Sequence, residues 1–178
     1  MNIRRVWALV LAAGMAGCGR EGPLSQPSPP SATNAPPATV HLDHALPRLP
    51  TLKLWLGNQE ITAEVALTLT EIATGMMFRT NLADNEGMLF VFNVPHRAAF
   101  YMKNTYLPLS AAYIDPEGII LEIHDLQPLD ETPVEARSDQ VQYVLEMRQG
   151  WFDRHGIGPG ALVRTELGSL REVFGRRR

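Results

Sequence analysis

From residue 51 onward, apolar and polar positions alternate with the two-residue period of strands that bury one face. The segment "TLKLWLG" alternates and stops at Gly57, and "NQEITAEVALT" resumes at Asn58. This predicts a strand pair joined by a tight turn at Gly57-Asn58. In "TLTEIATGMMFR" the period changes: Thr68 is followed three residues on by Glu71, a capping box, and Ile72, Ala73 and Met76 share one helical face. Gly75 lowers helix propensity, so the predicted helix is short. The unbroken apolar run "MLFVF" suits a strand buried on both faces, set between turns at "TNLADNEG" and "NVPHR". Strands then follow closely at "AAFYMKN", "LSAAYID", "GIILEIHDL" and "VQYVLEM", with Asp115-Pro116-Glu117-Gly118 a β-turn sequence and "ETPVEARSD" a polar loop. A brief helix in "RQGWFDRHG" ends at Gly156, and "ALVRTEL" is a last strand. Short strands without a βαβ rhythm predict a mainly β chain: a single compact β-sandwich or small barrel with one or two short helices.

The first 50 residues show neither period. In "MNIRRVWALVLAAGMAGC", Arg4 and Arg5 precede an apolar run from Val6 to Met15, and the small residues Ala16 and Gly17 precede Cys18. The run is too short to span the roughly 30 Å bilayer core as a helix and fits the h-region of a signal peptide. Small residues before a cysteine resemble the lipobox of bacterial lipoproteins, although Met15 stands where leucine is more usual. Residues 1–17 are thus expected to be a lipoprotein-type signal, with Cys18 lipidated and the mature N-terminus. The alternative is an ordinary signal peptide or uncleaved anchor with an incidental cysteine. Cys18 is the only cysteine, so no internal disulfide or cysteine-zinc site is available. Gly19 in place of an aspartate favours the outer membrane, facing the periplasm. Acyl chains, worth about 0.8 kcal/mol per buried CH₂, would supply the membrane attachment.

Residues 18–50 hold eight of the fourteen prolines and few large apolar side chains. They read as a disordered tether, with the β-domain at 51–167 and a basic tail at 168–178. The whole chain carries a net charge of −3, and losing residues 1–17 removes two arginines and no acid, leaving −5. A net acidic chain argues against nucleic acid as a partner.

Motifs for familiar chemistries are missing. The histidines at 41, 44, 96, 124 and 155 lack metal-ligand spacing, so no metal and no cofactor are expected. His124-Asp125 is more simply a strand end than a catalytic pair. Ser110 has no nucleophile-elbow glycines, and Gly156, Gly158 and Gly160 precede a strand instead of opening a helix.

Three blocks, "GMMFRTNLADNEGMLFVF", "FYMKNTYLPLSAAYIDPEGIILEIHDL" and "YVLEMRQGWFDRHGIGPGALV", resemble the domain of unknown function 192 family over most of residues 58–165. The matching positions are Arg79, Glu86, Gly87, Met88 and Phe90, then Met102, Lys103, Asn104, Thr105, Pro108, Leu109 and Asp115, then Gly150, Trp151 and Gly156. The resemblance implies a compact, mainly β domain, often exported, and implies no reaction. Tyr101 replaces the family's common tryptophan, and Ser110 replaces an aspartate that commonly follows Pro-Leu. If that aspartate were an acid or metal ligand, this chain would lack it.

Arg79, Glu86 and Lys103, with Asn104, are the candidate ligand site. A carboxylate between two cations can hold an anion or tune a lysine, and it can equally be structural pairing at a strand end. Alternation along a strand puts Phe100, Met102 and Asn104 on one face and Tyr101, Lys103 and Thr105 on the other. Asn104 also suits a left-handed turn. The leading expectation is therefore a lipid-anchored binding or accessory module for an envelope peptide or glycan. A small hydrolase or transferase using the Arg79, Glu86 and Lys103 neighbourhood is the second, and a structural scaffold the third.

Overall fold

In the computed structural model, which describes residues 40–175, β1 (Thr51–Leu56) and β2 (Gln59–Ala66) form the antiparallel hairpin that the alternation predicts, turning at Gly57 with φ +61°. The expected signal segment, Cys18, most of the expected tether and the terminal Arg176–Arg178 lie outside the described residues. Helix α1 (Leu69–Thr74) begins at the Thr68–Glu71 capping box, with both reciprocal bonds made, and stops at Gly75, whose φ of +47° most side chains avoid. The chain then returns as β3 (Glu86–His96), which pairs parallel to β2 from Thr62–Glu86 to Ala66–Phe90. So β2, α1 and β3 form one βαβ unit, against the expectation of none. The short loop-rich crossover hid it, because the period-3.6 signal lasts only six residues.

Two-residue strands and longer ones follow: β4 (Ala99–Phe100), β5 (Leu109–Ile114), β6 (Ile120–Leu126), β7 (Val134–Glu135), β8 (Val141–Arg148), α2 (Trp151–Arg154), β9 (Val163–Thr165), β10 (Gly168–Ser169) and α3 (Leu170–Phe174). Eight strands make one sheet in the order β10-β9-β1-β2-β3-β8-β5-β6, while β4 and β7 pair separately. The fold is mainly β and sandwich-like. It is not a closed barrel: an isolated Ile119–Leu162 bridge brings the two ends of the sheet together without a continuous ladder.

The sheet buries both faces. One carries Leu54, Ile61, Leu89, Ala112, Tyr143, Leu145 and Met147 against α2 and α3. The other carries Ala66, Met88, Phe90, Ala111, Tyr113 and Val144 against Met76, Leu82, Ala98, Met102, Leu46 and Leu49. This second layer accounts for the first of three departures from the sequence expectation. Leu46 and Leu49, placed in the tether, are buried on the domain. They are fixed there because the Leu49 amide donates to Glu64 and the Leu42 amide to Thr74 Oγ1. "NVPHR" is not a turn: β3 runs to His96 past an irregularity beyond Val91, where exposed Pro95 is tolerated. Residues 168–174 are not tail: a second capping box, Ser169 with Glu172, starts α3 and brings Leu170 and Phe174 into the core, so the described residues carry three short helices.

Candidate functional site

A cavity of about 240 Å³ lies on the second face of the sheet. Its walls come from four places. The end of α1 and the following loop contribute Ile72 to Met77, β3 contributes Phe90, Phe92 and His96, and Ala99 to Tyr101 and Thr105 form the outer side. From the middle of the sheet, β8 contributes Glu146. The aromatic wall is a chain of edge-to-face contacts: Phe90 to Phe100 with centroids 5.0 Å apart, Phe92 to Phe100 at 6.4 Å, and Phe92 to the His96 ring at 4.4 Å. Exposed Ala99 and Tyr101 mark the opening to solvent.

Glu146 is the unexpected member. On β8, Tyr143, Leu145 and Met147 face the first core, so Val144 and Glu146 face the second. Its cross-strand neighbours are Met88 on β3 and Ala111 on β5, both fully buried and neither able to bond a carboxylate. Glu146 is 4% exposed, and no hydrogen bond or ion pair reaches its carboxyl group among the described residues. Burial alone pushes its pKa up to about 8, so at neutral pH it is mostly a carboxylic acid. Tyr113, whose phenol donates to the Val134 carbonyl at 2.6 Å, is pushed upward by burial and then by the charges of Glu146 and Glu122.

The residues singled out from sequence lie elsewhere and in separate pairs. Arg79 makes a two-pronged bond to Glu64, at 2.6 and 2.8 Å, and both side chains are largely buried. Burial pushes Glu64 up, but the Arg79 fork, the Leu49 amide and the Arg79 and Arg48 charges together hold it below the ordinary carboxylate value. Glu86 instead accepts from Arg48, with both guanidinium nitrogens 3.0 Å from Oε1, and from the Ala83 amide. Those bonds lower its pKa. Among the described residues Lys103 pairs only with Glu131, at 3.9 Å and in solvent.

Asn104 has φ +52° and its carbonyl accepts the Phe78 amide, so it turns the chain and braces the segment before Arg79. Strand alternation does not apply to it, because β4 ends at Phe100; Met102 and Thr105 are both buried. Ser110 is a structural joint. Its hydroxyl donates to Asp125 and accepts the Gly150 amide at 2.9 Å, at the start of α2. Among the described residues no group of three or more His, Cys, Asp or Glu is placed to hold a metal ion.

The sequence pattern of the family described as uncharacterized ACR, domain of unknown function 192, matches residues 53–165. No curated protein matches the chain. Among solved structures, a proposed transcription regulator from Sinorhizobium meliloti 1021 is 31% identical, with a TM-score of 0.64 over 68% of this chain and 98% of that one. A protein of unknown function from Novosphingobium aromaticivorans DSM 12444 is 36% identical, with a TM-score of 0.61 over 65% of this chain and 86% of that one.

Proposed function

The chain belongs to the domain of unknown function 192 family, and from that premise we propose that it is a ligand-binding module whose site is the aromatic cavity beside Glu146. One observation carries this reading: a buried carboxyl group faces a cavity and has no partner among the described residues. Burying such a group without a compensating bond is costly, and the adjacent ladder positions hold Met88 and Ala111 with no such cost. Perturbed acids in concave apolar surroundings are characteristic of binding sites. At about 240 Å³ the cavity sits just below the roughly 300–1,000 Å³ of drug-sized pockets. It suits a small molecule or one side chain of a peptide better than a glycan, which would need an open polar cleft. The hydrolase or transferase reading loses its support, since Glu86, Arg79 and Lys103 each have a different partner. A net charge of −3 gives no support for carrying a regulator's nucleic-acid role over to this chain.

Small neutral aromatic fragments are expected to raise the melting temperature of the domain by several degrees at saturating concentration. Ala99→Trp, which adds bulk at the exposed rim, should remove that rise while leaving the unliganded melting temperature in place. Equal rises in both proteins, or none in the wild type, would overturn the assignment of the cavity.

The same proposal includes display at the cell envelope through a lipid on Cys18, with the outer membrane facing the periplasm favoured and the proline-rich segment as spacer. A palmitate analogue should label the full chain but not Cys18→Ser; equal labelling of both would remove the anchor.

A further inference from the structure

The cavity's charge is one-sided. Glu146 is its buried acid, and no lysine or arginine lines it. The end of α1, Ile72 to Thr74, lines the same space and brings no charged side chain to it. The rings of Phe90, Phe92 and Phe100 line the cavity beside it, aromatic surface of the kind that attracts a cation over a ring face. An anion entering here would meet Glu146 and aromatic rings and no lysine or arginine. We propose that the cavity takes an organic ammonium group on a small apolar body, its N–H bonds made to the Glu146 carboxylate and its carbon frame against the phenylalanines. This rests on the binding role of the cavity given above.

The proton balance follows. Before binding, Glu146 is mostly protonated at neutral pH. An ammonium ligand pairs with the carboxylate, so the carboxyl proton leaves to solvent while the ammonium keeps its own. The other titratable groups facing this region are His96 from β3, Tyr101 at the rim and Tyr113 from β5, with Glu122 beyond Tyr113 on β6. Of these, burial pushes the Tyr113 phenol further up, and any part played by His96 is isolated by the variant below. The ligand's ammonium could belong to a free amine or to a lysine side chain, and both carry the same chemistry.

Calorimetry with four probes decides the matter: 2-phenylethylamine, Nα-acetyl-lysine methylamide, the neutral 2-phenylethanol and the anionic phenylacetate. Titrations at pH 7 in two buffers of different ionisation heat give the number of protons released. At least one of the two cationic probes is expected to bind about tenfold or more tightly than the alcohol, the size of one charge-assisted hydrogen bond, with release approaching one proton. Glu146→Gln should abolish both the preference and the release, which a proton from His96 would survive. The stronger cationic probe then identifies the source, free amine or lysine side chain. If the alcohol or the acid binds as well as the amines, or no proton is released, the ammonium assignment is wrong while the cavity's binding role stands. If none of the four binds and the neutral fragments fail as well, the binding role falls with it.

Discussion

Glu146→Gln stabilises the folded domain, and the gain widens as pH rises. In the unfolded chain the carboxyl group ionises with the ordinary value of 4.5, whereas in the fold burial holds it protonated up to about 8. The folded state therefore binds more protons between those values, so wild-type stability falls with increasing pH across that window and levels off above it. Each pH unit separating the folded from the unfolded value is worth about 1.36 kcal/mol, so the full swing is on the order of 3–5 kcal/mol. Glutamine has nearly the same shape and no titration, so subtracting the two stability profiles isolates this one group. Other carboxylates act in the opposite direction. Glu64 and Glu86 have lowered values, and their contribution, present above the ordinary carboxylate range, is lost as pH falls. Chemical denaturation at about pH 5, 7 and 9 measures the difference. A gain that stays flat across this range would mean that Glu146 ionises normally, with water or a cation beside it.

The identity of this group was hidden by the same feature that makes it important. In "VQYVLEM" the alternation puts Gln142, Val144 and Glu146 together opposite Tyr143, Leu145 and Met147. A sheet with one wet face would send Glu146 to solvent. Here the second face is covered by α1, the 76–82 loop and residues 98–102, with Leu46 and Leu49 arriving from the segment expected to be tether. None of those coverings has a local signature that points to β8. Lys103 and Asn104 drew attention instead because they interrupt an apolar stretch, yet the interruption is a turn: Asn104 supplies a left-handed residue, and Lys103 points to Glu131 at the surface.

Local chemistry, by contrast, was legible wherever one short stretch decided the outcome. The Gly57 turn, the Thr68–Glu71 cap, the buried "MLFVF" run and the Asp115–Gly118 turn all follow from neighbours in sequence. The Ser169–Glu172 cap had the same spacing as the first and was legible too, but the adjacent basic run drew the end of the chain into a tail. What no local pattern could supply was partnership at a distance. The parallel pairing of β2 with β3 depends on a crossover, and the partner of Arg79 depends on that pairing: Glu64 stands on β2, while the Glu86 nearer in sequence is claimed by Arg48.

That last exchange of partners gives the second large effect. Arg79→Met leaves the Glu64 carboxylate, itself about as buried as the core, with only the Leu49 amide and a more distant Arg48. Removing one member of a buried ion pair is expected to destabilise by about 3–5 kcal/mol, because the remaining charge is desolvated without compensation. The pH dependence should reverse as well. In the wild type the lowered Glu64 value makes its stabilisation strongest above the ordinary carboxylate range and weaker in acid. Without Arg79 the burial effect dominates, the value rises, and stability at this site falls as pH increases. Adding Glu64→Gln to Arg79→Met removes the stranded charge yet keeps an acceptor for the Leu49 amide, so the double variant should regain more than half of the loss. A single-variant loss below about 1 kcal/mol, the range of exposed pairs, would show that Arg79 and Glu64 are solvated and that the βαβ crossover is held by its apolar contacts alone.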